Sequence, residues 1–280
     1  MSDQIALINV RPVWARAPLA VVAVLALYAA WHGVRWGVGN TMAETAPASY
    51  ANDPTAALES AEAAARLSPN DPATHLMVAR LSQLSFAPEG VTRALGEYEK
   101  AAALAPNDYL VWLEAGRARA ALGDREGGIA MLRRSVELAP NYAQPRWHLG
   151  NALLRSGDAE AAFAELRLAA DADSTLRPQV FNLAWQVYAP DMARVIDVVG
   201  KTPEARAQLV GVLTARQRFD DALAVWGSIG EAERRERPEN GVGLARALYA
   251  RGSYHLAVRT LHEAGSASDE LSVSSDFRRS

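Results

Sequence analysis

The sequence predicts an all-α protein, a solenoid of paired helices preceded by one membrane-spanning helix, and three observations support this fold class. Alanine supplies 56 of the 280 residues and aromatic residues only 7%, and alanine favours helices while giving a pleated sheet little to pack. A long uncharged apolar run lies near the N-terminus. After it, a Pro-Asn pair recurs at Pro69, Pro106 and Pro140, with separations of 37 and 34 residues, and 34 is the period of a helix-turn-helix repeat.

The apolar run predicts a membrane anchor. Ala17 to Val34 contains 18 uncharged residues, which as a helix span about 27 Å, close to the ~30 Å of a bilayer core. We assign residues 17–38 as a single transmembrane anchor and residues 1–16 as a cytoplasmic segment, because two arginines precede the run and one closes it: Arg11, Arg16 and Arg35. The rest of the chain is then expected outside the cytoplasm, at the inner membrane. A cleaved signal peptide and a buried helix of a soluble protein are the alternatives.

The remaining sequence divides into a linker, a repeat region and a tail. Residues 39–53 are polar and contain Pro47, and we predict a linker there. Residues 54–264 carry about five to six repeats, of which one is shortened near 190–201, and the serine-rich residues 265–280 are expected to be disordered. The shortening follows from small residues that recur 37, 34, 34, 60 and 35 residues apart, at Ala57, Ala94, Gly128, Ala162, Ala222 and Ala257.

Two units resemble the tetratricopeptide repeat family. The unit that begins at Tyr109 has the family's preferred residue types, or close substitutes, at Trp112, Gly116, Leu132 and Pro140, and the next unit has them at Leu149, Gly150, Ala162, Leu166 and Ala169. The resemblance covers about three quarters of the chain and implies a right-handed superhelix. Paired helices of such a repeat cross closely where side chains are small, and we expect Gly116 to meet Gly128 and Gly150 to meet Ala162.

The sequence predicts no enzyme, cofactor or metal site. It has no cysteine, no His-Glu-x-x-His pair, no phosphate-binding loop and no Gly-x-Ser-x-Gly motif. Gly241-Val242-Gly243 follows no predicted strand and lacks a third glycine, so it is not interpreted as a dinucleotide fingerprint. The net charge of -3 gives no overall field that would attract nucleic acid. We therefore expect a protein partner.

The resemblance implies a concave groove lined by the first helix of each repeat. Aromatic and arginine side chains, which are enriched where proteins bury a partner, are frequent at the corresponding positions. The predicted groove residues are Arg80, Leu113, Arg117, Trp147, Asn151, Arg155, Phe181, Trp185 and Tyr188. The alternative is that Trp147, Phe181 and Trp185 pack into space left by the shortened repeat. Asn151 and Asn182 occupy positions where one subgroup clamps a terminal carboxylate, but the lysines of that clamp are absent, so its chaperone ligand is not implied.

These expectations combine into a functional hypothesis. The chain resembles bacterial single-span tetratricopeptide proteins, and this implies a membrane-tethered scaffold or adaptor of the cell envelope that holds a segment of another envelope protein. Tethering raises the effective concentration, so a modest affinity would suffice. The alternatives are an accessory module of an envelope polysaccharide or secretion enzyme system and a soluble regulator. The partner, the pathway and the oligomeric state stay open at this stage.

Overall fold

The computed structural model describes residues 13–84, 89–189 and 191–266, and every regular element in these ranges is helical. The chain divides into two compact units, one ending at Leu138 and the other beginning at Ala139. The first unit contains α1 (Val13–Tyr50), α2 (Pro54–Leu67), α3 (Pro72–Leu84), α4 (Gly90–Leu104), α5 (Tyr109–Ala121) and α6 (Arg125–Leu138). The second contains α7 (Ala143–Ser156), α8 (Ala159–Ala172), α9 (Arg177–Tyr188), α10 (Met192–Val199), α11 (Pro203–Ala215), α12 (Phe219–Gly227), α13 (Glu231–Glu236), α14 (Pro238–Ala250) and α15 (Tyr254–Glu263).

The linker prediction for residues 39–53 is wrong, because α1 runs unbroken from the apolar segment to Tyr50. Its second half packs against the next two helices: Ala46 is 1% exposed, and the Tyr50 hydroxyl donates to the Leu84 carbonyl at 2.6 Å. Gly39, Ala43, Ala46 and Tyr50 recur every three or four residues and share one helix face. The second half of α1 therefore forms a helix pair with α2, and the polar residues between these positions belong to its solvent face.

The first half of α1 has a different environment. Every residue from Arg16 to Val34 is exposed, and none of its apolar window is buried. By length and composition this segment is able to cross a membrane. The cytoplasmic assignment of residues 1–16 falls largely outside the described residues, as do residues 85–88, between α3 and α4, and the predicted disordered tail from residue 267 onward.

The close helix crossings expected from the small residues are confirmed. A Cβ atom on Gly116 would lie 2.9 Å from the Gly128 carbonyl oxygen, and a Cβ on Gly150 would lie 2.6 Å from Leu166 Cγ and 3.0 Å from the Ala162 carbonyl oxygen. Each of the small residues in the second helices is buried: Ala57, Ala94, Gly128, Ala162, Ala222 and Ala257. The register of the repeats is therefore the one that the sequence predicts.

Four of the turns that precede a first helix are closed by one kind of hydrogen bond. A side-chain nitrogen six residues after the turn donates to the turn's carbonyl oxygen, at 2.7–2.9 Å. The pairs are His75 with Pro69, Trp112 with Pro106, Arg146 with Pro140 and Arg206 with Gly200. Histidine and arginine thus take over the donor role that the Trp112 indole has in the central repeat.

The second unit has the shortened pair and one helix that the sequence analysis did not predict. Helix α10 has only 8 residues, as expected for the second helix of the shortened repeat, and α13 is a six-residue helix between two pairs. One large side chain on each of α11, α12, α14 and α15 is buried: Leu209, Trp226, Leu244 and Leu261. Gly241 has a packing role, because a Cβ there would lie 2.6 Å from the Trp226 ring.

Candidate partner-binding surface

Two of the predicted groove residues of the first unit, Arg80 and Arg117, act electrostatically on a buried tyrosine. Tyr98 on α4 is fully buried, and its hydroxyl donates to Gln83 Oε1 at 3.1 Å. Burial raises the pKa of Tyr98, as does the nearby Glu114 carboxylate, while the Arg80 and Arg117 guanidinium groups act on it in the opposite direction. Both arginines therefore lie near the same phenol.

The members of this group differ in their availability to a partner. The Arg117 side chain is 42% exposed and bonds Glu114 at 2.9 Å, one turn away on α5. Leu113 is 1% exposed and presents almost no surface in this conformation. The surface that these residues form in the first unit is therefore polar, because Arg117 is exposed and Glu114 is partly exposed, while Leu113 is buried.

The aromatic residues of the second unit form a layered cluster with two arginines. The rings of Phe181 and Trp185 lie 6.0 Å apart on α9. The Arg216 guanidinium lies 4.4 Å from the centre of the Trp185 ring and 5.1 Å from that of Phe181, and it donates to Asn182 Oδ1 at 2.6 Å. Arg218 approaches Trp185 at 5.8 Å. We call Phe181, Trp185, Arg216 and Arg218 the aromatic–arginine cluster; its cation–π contacts each stabilise by about 0.5–1 kcal/mol when exposed.

The two arginines of the cluster are held by a turn with an unusual backbone. Gln217, between them, has φ of 58°, and it is the one non-glycine residue with positive φ among the described residues. The corresponding turns of three other pairs have glycine in this conformation, at Gly123, Gly157 and Gly252. A side chain in this region costs about 1–2 kcal/mol. This strained backbone occurs at the turn that places both guanidinium groups beside Trp185.

The other predicted residues of the second unit are partly engaged in internal contacts. Asn151 donates its amide to the Trp147 carbonyl at 2.8 Å, within the same helix. Tyr188 packs against Phe163 with ring centres 5.4 Å apart, and Arg194 lies 5.6 Å from its ring. Arg155, in the last turn of α7, is exposed. The amides of this group therefore have internal partners, whereas the arginine at the end of α7 is accessible.

Sequence reasoning missed Arg216 and Arg218, and it partly anticipated how the aromatic residues pack. Phe181 is 4% exposed, and Trp147, Trp185 and Tyr188 are half-buried against the core of the second unit. Each of these three side chains thus has one side in the core and another facing out. The signal for the two arginines was available, since a turn between helices without its usual glycine stands out at Arg216-Gln217-Arg218.

The short helix α10 leaves a cavity beside the cluster. It lies between α8, α9 and α11, measures about 480 Å³ up to its open mouth, and is lined by apolar side chains such as Phe181 and Leu209. Arg167 and Arg177 stand at its edge, and the Nε of Arg177 is buried without a hydrogen-bond partner among the described residues. The missing helical turn therefore exposes part of the apolar interior.

The titratable groups give no indication of a catalytic or metal site within the described ranges. No group of three potential metal ligands occurs there. His75 is buried and bonded by Nδ1 to Glu97 Oε2 at 2.6 Å, which makes it a structural residue. Burial acts to raise the pKa of Glu97, but hydrogen bonds from Lys100 and His75 outweigh this effect and lower it below its ordinary value of 4.5.

Comparison with known proteins identifies one repeat by sequence. Residues 109–142, which include α5 and α6, match the family model of the tetratricopeptide repeat. No curated protein matches the chain.

Three similar solved structures share low sequence identity with it. A MamA double mutant is 17% identical, with a TM-score of 0.49, and the match covers 61% of this chain and 96% of that one. MamA from Desulfovibrio magneticus RS-1 is 14% identical, with a TM-score of 0.43 and coverage of 85% and 97%. YrrB, described as a TPR protein with an unusual peptide-binding site, is 15% identical, with a TM-score of 0.38 and coverage of 74% and 91%.

Proposed function

We propose that this chain, in which residues 109–142 match the tetratricopeptide repeat, is a membrane-tethered interaction scaffold of the cell envelope. Helical repeats of this kind present extended surfaces on which other proteins bind. In this proposal the first half of α1 anchors the chain in the inner membrane, with the N-terminus in the cytoplasm. The repeats lie outside the cytoplasm and hold a segment of another envelope protein.

The exposure of the first half of α1 is the observation that carries the tether. A run of 19 exposed residues from Arg16 to Val34, almost all of them apolar, is unfavourable in water, since burying apolar surface stabilises by about 25 cal/mol per Å². Arg35 and Trp36 follow the run, and both residue types are common at the membrane interface. A bilayer removes this surface from water.

The second half of α1 argues against cleavage of the anchor. A signal-peptide site near Ala46-Pro47-Ala48 would remove the helix that covers Ala57, Ala61, Val78 and Leu81. Cleavage would therefore expose part of the core of the first unit. An uncleaved α1 keeps the anchor covalently joined to the first helix pair and keeps these residues buried.

Fractionation of the full-length protein tests the tether. We expect it to remain in membranes after a carbonate wash, and we expect protease added to spheroplasts to digest the repeats. Release by carbonate would refute the span and would favour a soluble regulator. Protection of the repeats in intact spheroplasts, with digestion only after lysis, would refute the orientation.

The partner surface is proposed to include the aromatic–arginine cluster of the second unit and the arginines of the first. Arg216 and Arg218 are exposed, and both guanidinium groups lie near the Trp185 ring. Arg218 is already paired with Asp221 at 2.6 Å, whereas Arg216 keeps donors beyond its bond to Asn182 for a partner's carboxylates and carbonyls. The cluster therefore fits a segment that combines acidic and apolar side chains.

Crosslinked capture from membranes tests the partner surface. We expect Arg216→Ala and Arg117→Ala each to reduce capture, with a loss of about 2 kcal/mol or more for a true hot spot and little change in melting temperature. Arg235→Ala is the matched control, because Arg235 is exposed and pairs with Glu231 one turn away.

Trp185→Ala distinguishes binding from packing at the cluster. If Trp185 is mainly a core residue, its truncation leaves a cavity and costs about 3–5 kcal/mol of folding stability. Such a loss, together with unchanged capture by the Arg216 and Arg117 variants, would refute the proposed surface.

A further inference from the structure

We infer that the cleft between α1 and the turn joining α2 to α3 binds the phosphate of an anionic phospholipid. The cleft is lined by His32, Arg35, Trp36 and residues 67–72, and it measures about 860 Å³ including its open mouth. This inference rests on the proposed membrane tether, and it adds a ligand and a binding site for the junction between the anchor and the repeats.

The position of the cleft follows from the continuity of α1. Gly39 packs directly on Ser68, since a Cβ at Gly39 would lie 2.5 Å from Ser68 Oγ, so the turn after α2 is level with Gly39. Five residues separate Gly39 from Val34, the last residue of the apolar run, which along a helix is about 7.5 Å. The headgroup region on each side of a bilayer is about 5–7.5 Å thick. The turn therefore lies at the outer edge of the headgroup region, and the cleft, which extends from it to Arg35 and Trp36, lies within that region.

The junction is held in place by hydrogen bonds between α1 and the turn. The Trp36 indole donates to Asp71 Oδ2 at 3.1 Å, and Arg35 donates to the Arg66 carbonyl at 3.3 Å. Trp36 is nevertheless 58% exposed, as expected for an aromatic side chain that meets the interface. These contacts fix the height and the orientation of the turn relative to the anchor.

The charges in the cleft suit an anion. Arg35 forms no ion pair within the described residues, and one hydrogen bond to a carbonyl leaves most of its five donors available. Arg66 does not line the cleft but adjoins it, since its carbonyl accepts from Arg35; its side chain is 70% exposed, and its pairing with Glu62 is loose at 3.7 Å. The acid of the cleft, Asp71, is already bonded to Trp36 and, by Oδ1, to the amide of Ala73.

Two arginines at headgroup depth indicate a phospholipid rather than a soluble anion. Arginine binds phosphate oxygens through paired, charge-assisted hydrogen bonds. The anchor keeps the cleft beside a leaflet, where lipid phosphates are at a far higher local concentration than free phosphate. An anionic lipid, which carries no compensating cation in its headgroup, suits Arg35 in the cleft and the exposed Arg66 at its rim.

Lipid retention by the full-length protein tests this inference. The protein is placed in nanodiscs with equal amounts of phosphatidylglycerol and phosphatidylcholine, released, and analysed by native mass spectrometry. We expect wild type to retain phosphatidylglycerol about tenfold over phosphatidylcholine, which corresponds to ~1.4 kcal/mol. The double variant Arg35→Gln/Arg66→Gln should lose this preference. Arg134→Gln/Arg235→Gln removes the same charge from exposed positions outside the cleft and should keep it.

The possible outcomes separate this inference from the tether. Loss of retention when inorganic phosphate is added would show that the cleft takes a soluble anion and would overturn the lipid assignment. Equal preference in wild type and the double variant would overturn the site while the tether stands. Release of the protein by carbonate would overturn both. Arg66→Gln alone, at a highly exposed position, repeats the test if the double variant is poorly folded.

Discussion

The crossing of α7 and α8 at Gly150 makes a sharp prediction about stability. A Cβ added at Gly150 would lie 2.6 Å from Cγ and 2.9 Å from Cδ2 of Leu166, whereas packed carbon atoms lie about 3.5–4.0 Å apart. Leu166 is fully buried, so moving it disturbs the core around it. The two helices must therefore move apart to admit even one methyl group.

The magnitude follows from two opposing effects. Overpacking a core costs about 1–3 kcal/mol, while replacing glycine by alanine inside a helix gains about 1 kcal/mol. We expect Gly150→Ala to lower the free energy of unfolding by about 0–2 kcal/mol, the difference between these effects, and the bulkier Gly150→Leu to lower it further. Gly243 is the matched control: it is exposed inside α14, and a Cβ there would have no atom within 4 Å. Gly243→Ala should raise the free energy of unfolding by up to about 1 kcal/mol.

Urea unfolding of the full-length protein in detergent, followed by circular dichroism at 222 nm, measures both effects. Gly150 and Gly243 belong to the same compact unit, so their midpoints are directly comparable. Gly150→Ala should lower the urea midpoint or leave it unchanged, and Gly243→Ala should raise it. Similar stabilisation by both would show that α7 and α8 do not cross closely and that the assigned repeat register is wrong.

Three further predictions concern the turn, the buried acid and the junction. In thermal unfolding, Gln217→Gly should raise the free energy of unfolding by up to about 1 kcal/mol, and Gly157→Gln should lower it by about 1–2 kcal/mol, because only glycine adopts positive φ without strain. Effects of the same sign in the two variants would contradict this reasoning. Since the pKa of Glu97 is lowered on folding, its contribution is present above pH 4.5 and lost as pH falls through the lower folded value. Urea midpoints should therefore show the destabilisation by Glu97→Gln shrinking below pH 4.5, and a pH-independent difference would contradict the linkage. The protein has no native cysteine, so one introduced cysteine can carry a fluorophore. A fluorophore on Asn70→Cys should be quenched by lipids with a nitroxide in the headgroup, whereas one on Asn52→Cys should not. Equal quenching would contradict the geometry of α1.

The helix pairs of the repeats were predictable because their signals are local. Gly150, Ala162 and Leu166 recur at spacings that allow one arrangement of two helices, and the structure confirms it. Helix α14 runs from Pro238 to Ala250, and local signals mark both ends, because proline favours a first helical turn and a glycine follows soon after the helix. Periodicity and capping were sufficient at these positions.

The continuation of α1 was not predicted, because its residues carry conflicting signals. Gly39 and Pro47 are typical of a chain that leaves a helix, and the residues between them are largely polar. Contacts with α2 and α3, through Ala43 and Ala46, outweigh these local preferences. Packing against later helices cannot be read from the segment itself.

The aromatic–arginine cluster shows a similar limit at the candidate surface. Trp185 and Arg216 are 31 residues apart in the sequence, and they meet only because the turn at Gln217 adopts a conformation that glycine usually provides. The family's groove positions lie on first helices and do not include this turn. The predicted groove positions therefore included the aromatic half of the cluster, whereas the sequence signal for the arginine half was the missing glycine of this turn.

Because α1 is unbroken, the number of residues between Val34 and Gly39 determines how the first unit is rotated about the axis of the anchor helix. In an α-helix each added residue rotates the downstream part of the chain by about 100° and advances it by about 1.5 Å. One residue inserted between Val34 and Gly39 would thus swing a different face of the first unit toward the bilayer. Four inserted residues would restore nearly the same face about 6 Å farther out. Under the proposed tether, anchor replacements and fusion proteins that change this spacing would alter the side of the first unit that faces the membrane, even when every repeat residue is kept.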